Sequence, residues 1–372
     1  NLNQGGYYLG ASNGSNKNPY FYGATEGVLG NPDITWERSR KYDVGLETKW
    51  FSNRLSVDFD YFYEKRDNIL TTLGIIPGIY GVPTSAVPPA NVGITQNQGY
   101  ELVLNWSDTV DDLTYSIGGD VSWTRNKIIY KAEANNPYPW MNQTGHAIGQ
   151  RFGLVSDGLF NTQEELANRP YNTYTSNQAT LGDIRYKDLD GDGLINQNDV
   201  APIGFPNYAQ YHFNVKLHLA YKGFDLSLNG YGAFGQQIAK SYRHFSSKPD
   251  ENYTTDVYTK YWTGEGSTNR YPRFCHGKDA NMSEVSKIWI ENGDYFKISN
   301  ITFGYDFKKL FKNMPLTRCR LYVSAQNMFT FTKYTGMDPE IGYGDGTGWM
   351  SGVDVGNYPS SNAWIFGVNL TF

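Results

Sequence analysis

Over long stretches of this chain, apolar and polar residues alternate one for one. Successive side chains of an extended strand point to opposite faces, so this alternation builds a ribbon that is greasy on one side and wet on the other. Tyr42, Val44, Leu46 and Trp50 lead into a turn at Ser52-Asn53, and Leu55, Val57, Phe59, Tyr61 and Tyr63 return, alternating with Ser56, Asp58, Asp60 and Glu64. Tyr100, Leu102, Leu104 and Trp106 are followed, past a turn at 108–112, by Leu113, Tyr115, Ile117, Val121 and Trp123. A third hairpin joins Tyr211–Tyr221 to Phe224, Leu226 and Leu228 across Lys222-Gly223, and a fourth, less regular pair covers 294–306 and 318–329. Trp364, Phe366, Val368, Leu370 and Phe372 carry the pattern to the last residue. The sum is roughly nine strands.

The connections restrict the fold further. Short turns alternate strictly with long segments at about 66–98, 125–207, 235–293 and 330–361. Outer-membrane barrels have this rhythm, with short periplasmic turns and long extracellular loops, and about 9–11 tilted residues suffice for a crossing. The expected fold is therefore all-β, a transmembrane antiparallel β-barrel. Bacterial single-chain barrels close with an even number of strands, and an open edge in hydrocarbon leaves backbone groups unpaired. An odd count behind a loop-like stretch at 1–41 makes residues 1–372 the expected C-terminal portion of a larger barrel, with N-terminal strands elsewhere. Asn1 in place of Met fits a mature protein or an internal fragment.

Composition agrees. Hydrophobic residues make up 39% and aromatics 16%, with 40 Gly; a disordered chain would lack the aromatics. A net charge of −5 argues against nucleic acid as the main partner. The two cysteines, Cys275 and Cys319, cannot staple a fold of this size and lack zinc-site spacing. The stretch Gly74–Ile94, inside a long uncharged run, contains Pro77, Pro83, Pro88 and Pro89 and cannot cross lipid as a helix.

One segment has the pattern of a cation loop. Asp188, Asp190 and Asp192 occupy ligand positions 1, 3 and 5 of the calcium-loop template. Gly193 permits the sharp turn, Leu194 offers a carbonyl, Asn196 reaches the ion through water, and Asp199 closes the set where Glu is usual. Clustered oxygens suit a hard cation, so Ca2+ in a structural role is expected; the competing reading is an Asp/Gly-rich turn that needs no metal. Other matches are weaker. Gly10-Ala11-Ser12-Asn13-Gly14 has the spacing of a nucleophile elbow without its helix. Gly230-Tyr231-Gly232-Ala233-Phe234-Gly235 has dinucleotide spacing without a βαβ unit, and glycines where a strand bends explain it better. His212 and His218 share a strand face about 20 Å apart and cannot hold one ion. Asp58, Asp60 and Glu64 read as solvated lining groups. No catalytic residue is expected, and the protein is read as a non-enzyme.

Several blocks carry a family resemblance. Asn31-Pro32-Asp33-Ile34-Thr35-Trp36-Glu37, Asn91-Val92-Gly93 with Asn97-Gln98-Gly99-Tyr100-Glu101, and Gly182-Asp183-Ile184-Arg185-Tyr186 resemble successive blocks of SusC/RagA-like TonB-dependent outer-membrane transporters. So do Tyr221-Lys222-Gly223-Phe224-Asp225-Leu226, Ala325-Gln326-Asn327-Met328-Phe329, Gly336-Met337-Asp338-Pro339-Glu340 and Gly352–Pro359. The resemblance implies a barrel of about 22 strands around a plug, uptake of oligosaccharides or oligopeptides energised by TonB, and a SusD/RagB-like surface lipoprotein as lid. It implies that the long loops are extracellular and the C-terminus periplasmic, and that the terminal strand carries the barrel-assembly signal. Aromatic loop segments such as Tyr138-Pro139-Trp140 and Gly342–Trp349 would contact glycan or peptide. The alternatives are a TonB-dependent receptor for siderophores or cobalamin, and a secreted all-β carbohydrate-active enzyme or binding module.

Overall fold

The computed structural model describes residues 2–8, 20–26, 30–74, 87–175, 178–240, 255–274, 286–311, 313–340, 352–356 and 358–372, the first two by backbone alone. The Gly10–Gly14 match, Pro77, Pro83, His244, Cys275, His276 and the Gly342–Trp349 segment lie outside the described residues. Nine strands form one antiparallel sheet: β1 (Arg38–Trp50), β2 (Leu55–Thr71), β3 (Ala90–Val110), β4 (Leu113–Tyr130), β5 (Tyr211–Tyr221), β6 (Phe224–Phe234), β7 (Tyr295–Asp306), β8 (Arg318–Thr332) and β9 (Ala363–Thr371). Their order in the sheet is sequential from β1 to β9. No described helix is long and apolar enough to cross a membrane, a statement that leaves β-barrels untouched.

The chain divides into two compact units: Asn1–Lys41, Glu64–Asn97 and Asn126–His146 make the first, and Tyr42–Tyr63, Gln98–Arg125 and Ala147–Phe372 the second. In the first, Leu2–Tyr8 pairs antiparallel with Tyr20–Glu26, where the sequence leads one to expect a loop-like stretch. In the sequence, Gln4, Gly5, Gly6, Gly23 and Thr25 interrupt any apolar alternation there, so period-two patterning gives no signal. The same unit shows why strands outrun their greasy stretches. Beyond Tyr63 the pairing continues through charge: Arg66 meets Glu37 at 2.8 Å and Glu64 at 2.9 Å, and Arg38 and Arg40 flank Asp67. Asn91 acts as a substitute strand, accepting from Thr35 N–H at 2.9 Å and donating to its carbonyl at 2.8 Å.

In the second unit, register aligns apolar residues into continuous rows. Tyr115, Leu219, Leu226, Phe303, Val323 and Phe366 stand opposite one another in turn across β4 to β9. Phe303 is 47% exposed and Phe366 78%, so this face covers no core of the chain itself. Aromatic residues gather at both ends of the rows. At the short-turn end, Phe51 lies 5.8 Å from Trp106, and Phe224 4.4 Å from Tyr305. At the other end, Tyr100, Trp123 and Tyr211 are followed by Phe213, which stacks on Phe234 and Phe296. Tyr211 to Tyr221 is about 33 Å along a strand, which at the ~40° tilt of such barrels projects to the ~25 Å of an apolar band between two aromatic girdles.

Turn chemistry fixes the hairpins. Lys222 and Gly223 both have positive φ, 47° and 95°, as a two-residue turn matched to strand twist requires. Gly232 is needed for packing: a Cβ there would lie 2.5 Å from the Phe213 ring and 2.3 Å from the Tyr295 carbonyl. The dinucleotide-like spacing at 230–235 is thus a strand end that makes room for stacked rings.

The long connections are folded. Gln150–Leu154 pairs with Val200–Pro206, Ser156–Leu159 with Ile184–Tyr186, and Tyr171–Asn172 with Leu194–Ile195. A short helix, Gln163–Ala167, starts in a capping box between Thr162 and Glu165. A further sheet joins Gln237–Lys240 to Ile290–Asn292 and Val353–Asp354. Leu154, Leu159, Ile184, Tyr186, Ile195, Tyr271 and Trp289 form a buried core among these segments.

The apolar rows give a direct test. Phe303→Lys places a charge in the band and should cost about 2–4 kcal/mol of stability in lipid vesicles. Thr302→Lys, on the opposite face, should cost a small fraction of that in the same denaturant titration.

Candidate functional site

The wet face of β4 to β9 is a wall of short polar side chains held by pairwise bonds. Asn214 donates to Asp120 at 2.6 Å, His218 and Ser227 share a hydrogen bond at 3.0 Å, and Thr302 and Ser324 meet at 2.9 Å. Arg320 grips Asp225 in a two-pronged contact, Nε at 2.7 Å and Nη2 at 2.5 Å. Planar guanidinium and planar carboxylate match in this geometry, and it fastens β8 to β6 across β7. A cleft of about 520 Å³ opens there at the short-turn end, lined by His218, Asp225, Arg318 and Arg320 among others. His212 and His218 stay on separate rungs, opposite Ala233 and Ser227.

Above the wall, the connections are fastened by a buried charge network. The Lys240 ammonium is 2.6 Å from Glu291 Oε1 and donates to the Thr335 hydroxyl and to Tyr271 OH. Arg270 reaches the same Glu291 oxygen, and the Thr335 N–H and hydroxyl donate to Glu291 as well. Tyr271 OH donates to Asp256, which also pairs with Lys260, and Tyr334 OH donates to Asp354. Lys240 and Glu291 side chains are 4% and 5% exposed. Burial works against the Glu291 carboxylate, but the hydrogen bonds and charges of Lys240, Thr335 and Arg270 prevail and hold its pKa below the ordinary 4.5. Burial and the neighbouring Asp256 push the Tyr271 phenol up.

The acidic loop brings three of its carboxylates together and turns a fourth inward. Oxygens of Asp188, Asp190 and Asp192 all lie within 4.8 Å of one another. Asp188 accepts from Gly191 N–H at 2.7 Å and Gly193 N–H at 2.8 Å, and Asp192 accepts from Leu194 N–H at 2.7 Å. Asn196 caps a short 3-10 turn, Gln197–Asp199, by accepting from Asn198 N–H. Asp199 is fully buried, and its two oxygens take the Leu189 and Asn196 N–H groups at 2.7 and 2.8 Å. It therefore braces the loop from within. Burial, with the charges of Asp190 and Asp188, raises its pKa against the pull of those two N–H donors.

Other sequence-picked groups have structural duties. Tyr138 and Trp140 stack on each other at 4.6 Å. In the Gly182–Tyr186 block, Ile184 and Tyr186 enter the core and Asp183 pairs with Arg273 at 2.8 Å. The Lys240–Glu291 network escaped sequence reading, because its members lie in stretches with no alternation and meet over separations of up to 95 residues.

A family model described as TonB dependent receptor-like, beta-barrel, matches residues 3–328. The chain is 28% identical over 361 residues to TonB-dependent receptor P3 of Formosa agariphila, covering 92% of this chain and 35% of that protein. It is 23% identical over 364 residues to TonB-dependent receptor SusC of Bacteroides thetaiotaomicron, covering 95% and 34%. Among solved structures, the RagAB peptide importer in its 'open-open' state shares the fold, with a TM-score of 0.67 at 19% identity over 100% of this chain and 38% of that one. The chain spans about a third of the length of these curated relatives.

Glu291→Gln should cost about 3–5 kcal/mol of local stability by removing the carboxylate that buried Lys240 shares with half-buried Arg270. Because the folded pKa is depressed, this contribution is complete above pH 4.5 and disappears as pH falls through the folded value. Amide protection factors at 237–240 and 290–292, taken relative to the intrinsic exchange rate at each pH, should therefore fall with acid in the wild type and be low already at neutral pH in the variant.

With rows of lipid-type residues between two aromatic girdles, a polar wall behind them and a family match over most of its length, the chain belongs to the TonB-dependent receptor family and forms part of its outer-membrane β-barrel.

Proposed function

We propose that this chain is the C-terminal wall of an importer that carries oligosaccharides or oligopeptides across the outer membrane. The step is transport, without bond chemistry. TonB supplies the energy through a plug that belongs to the rest of the protein, and strands from that part close the barrel against β1 and β9. A SusD/RagB-like lipoprotein covers the mouth. The folded connections face the cell exterior, and the short turns with Phe372 face the periplasm. The observation that carries this reading is the polar wall together with the charge-linked loop body above it. Such a combination offers a path for hydrophilic cargo and a fixed platform for a lid. The likeness to SusC and to the RagAB peptide importer supports the cargo class. Uptake of labelled maltooligosaccharides and of mixed labelled oligopeptides, in cells with and without this protein, is the test. One of the two should enter only when both the protein and TonB are present; uptake of iron-siderophore or cobalamin alone would reverse the assignment.

The acidic loop is part of the same proposal. Asp188, Asp190 and Asp192, with the Leu194 carbonyl and Asn196 through water, would hold Ca2+, and Asp199 would complete or brace the set. The ion's task there is structural. Terbium luminescence should titrate in the wild type, be displaced by calcium and vanish in Asp190→Asn. A flat titration in the wild type rejects the metal.

A further inference from the structure

Segment 334–340 is held at both ends. At one end, Thr335 sits in the Lys240–Glu291 network. At the other, Glu340 lies against the polar wall, where Tyr231 OH stands 2.7 Å from each carboxylate oxygen and the Lys297 ammonium is 2.5 Å from Oε2. Tyr231 and Lys297 are register partners on β6 and β7, so a donor and a cation project side by side from one rung. Asp338 is 3.6 Å from Lys297, and its own oxygens are engaged by the N–H groups of Glu340 and Ser360 and by the Ser360 hydroxyl.

Exposure across this contact is lopsided. The Lys297 side chain is 2% exposed, whereas that of Glu340 is 39% exposed. The cation lies at the bottom of the site and the carboxylate at its open side. A solute carboxylate therefore reaches the place of Glu340 from solvent, without moving the wall. Two donors converging on one carboxylate, one of them charged, give a strong and directional recognition unit.

We propose that Lys297 and Tyr231 form a carboxylate-binding site on the barrel wall, filled in this conformation by the chain's own Glu340 and contested by ligands that bear a carboxylate. The site deepens the importer reading and rests on it for its purpose: cargo carrying a free carboxylate exchanges with Glu340 and loosens one end of the 334–340 strap. A peptide C-terminus and a sugar acid share this chemistry.

Chemical rescue tests the site apart from transport. The intact protein is purified in detergent as wild type, Glu340→Ala, Glu340→Gln and Glu340→Ala/Lys297→Met, with heat-modifiable gel mobility confirming a folded barrel in each. Propionate supplies a carboxylate in place of the deleted one; propionamide has its shape without the charge. Propionate should raise the melting temperature of Glu340→Ala, leave the Lys297→Met double variant unmoved, and bind Glu340→Ala at least about tenfold more tightly than it binds wild type. Glu340→Gln, which keeps the volume and a bond to Tyr231, should respond weakly. N-acetyl-alanyl-alanine against its C-terminal amide, and galacturonate against galactose, then separate peptide from sugar-acid sources. Equal effects of propionate and propionamide, or no effect of either on a folded Glu340→Ala, would overturn the proposal. Loss of TonB-dependent uptake with intact rescue would count against the importer reading alone.

Discussion

A strand that crosses hydrocarbon cannot leave an N–H or a C=O without a partner, since each unpaired group costs several kcal/mol where no water can reach it. That requirement locks every strand of this sheet to its neighbours, and the lock has a second effect. With side chains on a period of two, pairing in register turns alternation within a strand into rows across strands. The row from Tyr115 to Phe366 is the product. No single strand here is apolar enough to prefer lipid strongly; six in register present a band that does. The same registration lines up Ser116, His218, Ser227, Thr302 and Ser324 behind it. One pairing constraint yields both the membrane surface and the polar wall.

The connections solve a different problem. They hold few aliphatic residues, and their buried core is small. They are fastened instead by charges in compensated sets, with buried Lys240 and half-buried Arg270 sharing Glu291, and Asp256 shared by Lys260 and Tyr271. Such sets are strict about geometry, because removing one partner strands another in a poorly solvated place. A loop body built this way holds its shape as a unit.

Sequence made the sheet legible and left the contacts between segments hidden. The nine strands and their turns follow from period-two patterning, down to Lys222-Gly223. The alternation stops short of the strand ends at β2, β3 and β4; at β2, ion pairs beyond Tyr63 such as Arg66 with Glu37 hold the strand and leave no hydrophobic trace. The Asn31–Glu37 and Asn91 blocks stood out as motifs, but their bond through Thr35 spans 56 residues and is invisible to local reading. The acidic loop was legible as a shape. The inward commitment of Asp199 was not, because the template gives ligand positions and says nothing of burial.

The irregularity of the fourth hairpin has a physical cause, and function follows from it. On β7, Ile301, Phe303 and Tyr305 belong to the apolar rows, so strict alternation would turn Lys297 and Tyr295 outward into lipid. Register shifts by one residue between Ile298 and Asn300. This bulge inverts every side chain beyond it: Phe296 joins the stacked rings of Phe213 and Phe331, and Lys297 turns to the wet face. On the facing strand, Asn327 takes φ 54°, a conformation Asn tolerates better than most residues, and absorbs the mismatch. A charge that would be costly in hydrocarbon thus becomes the cation beneath Glu340. The inserted residue, Ser299, is small and donates to the Asn229 carbonyl at 3.1 Å, so the bulge is satisfied where it forms. Pairing this same sequence without the bulge would point Lys297 at lipid. The bulge is therefore the feature that allows this strand to carry both membrane surface and wall site.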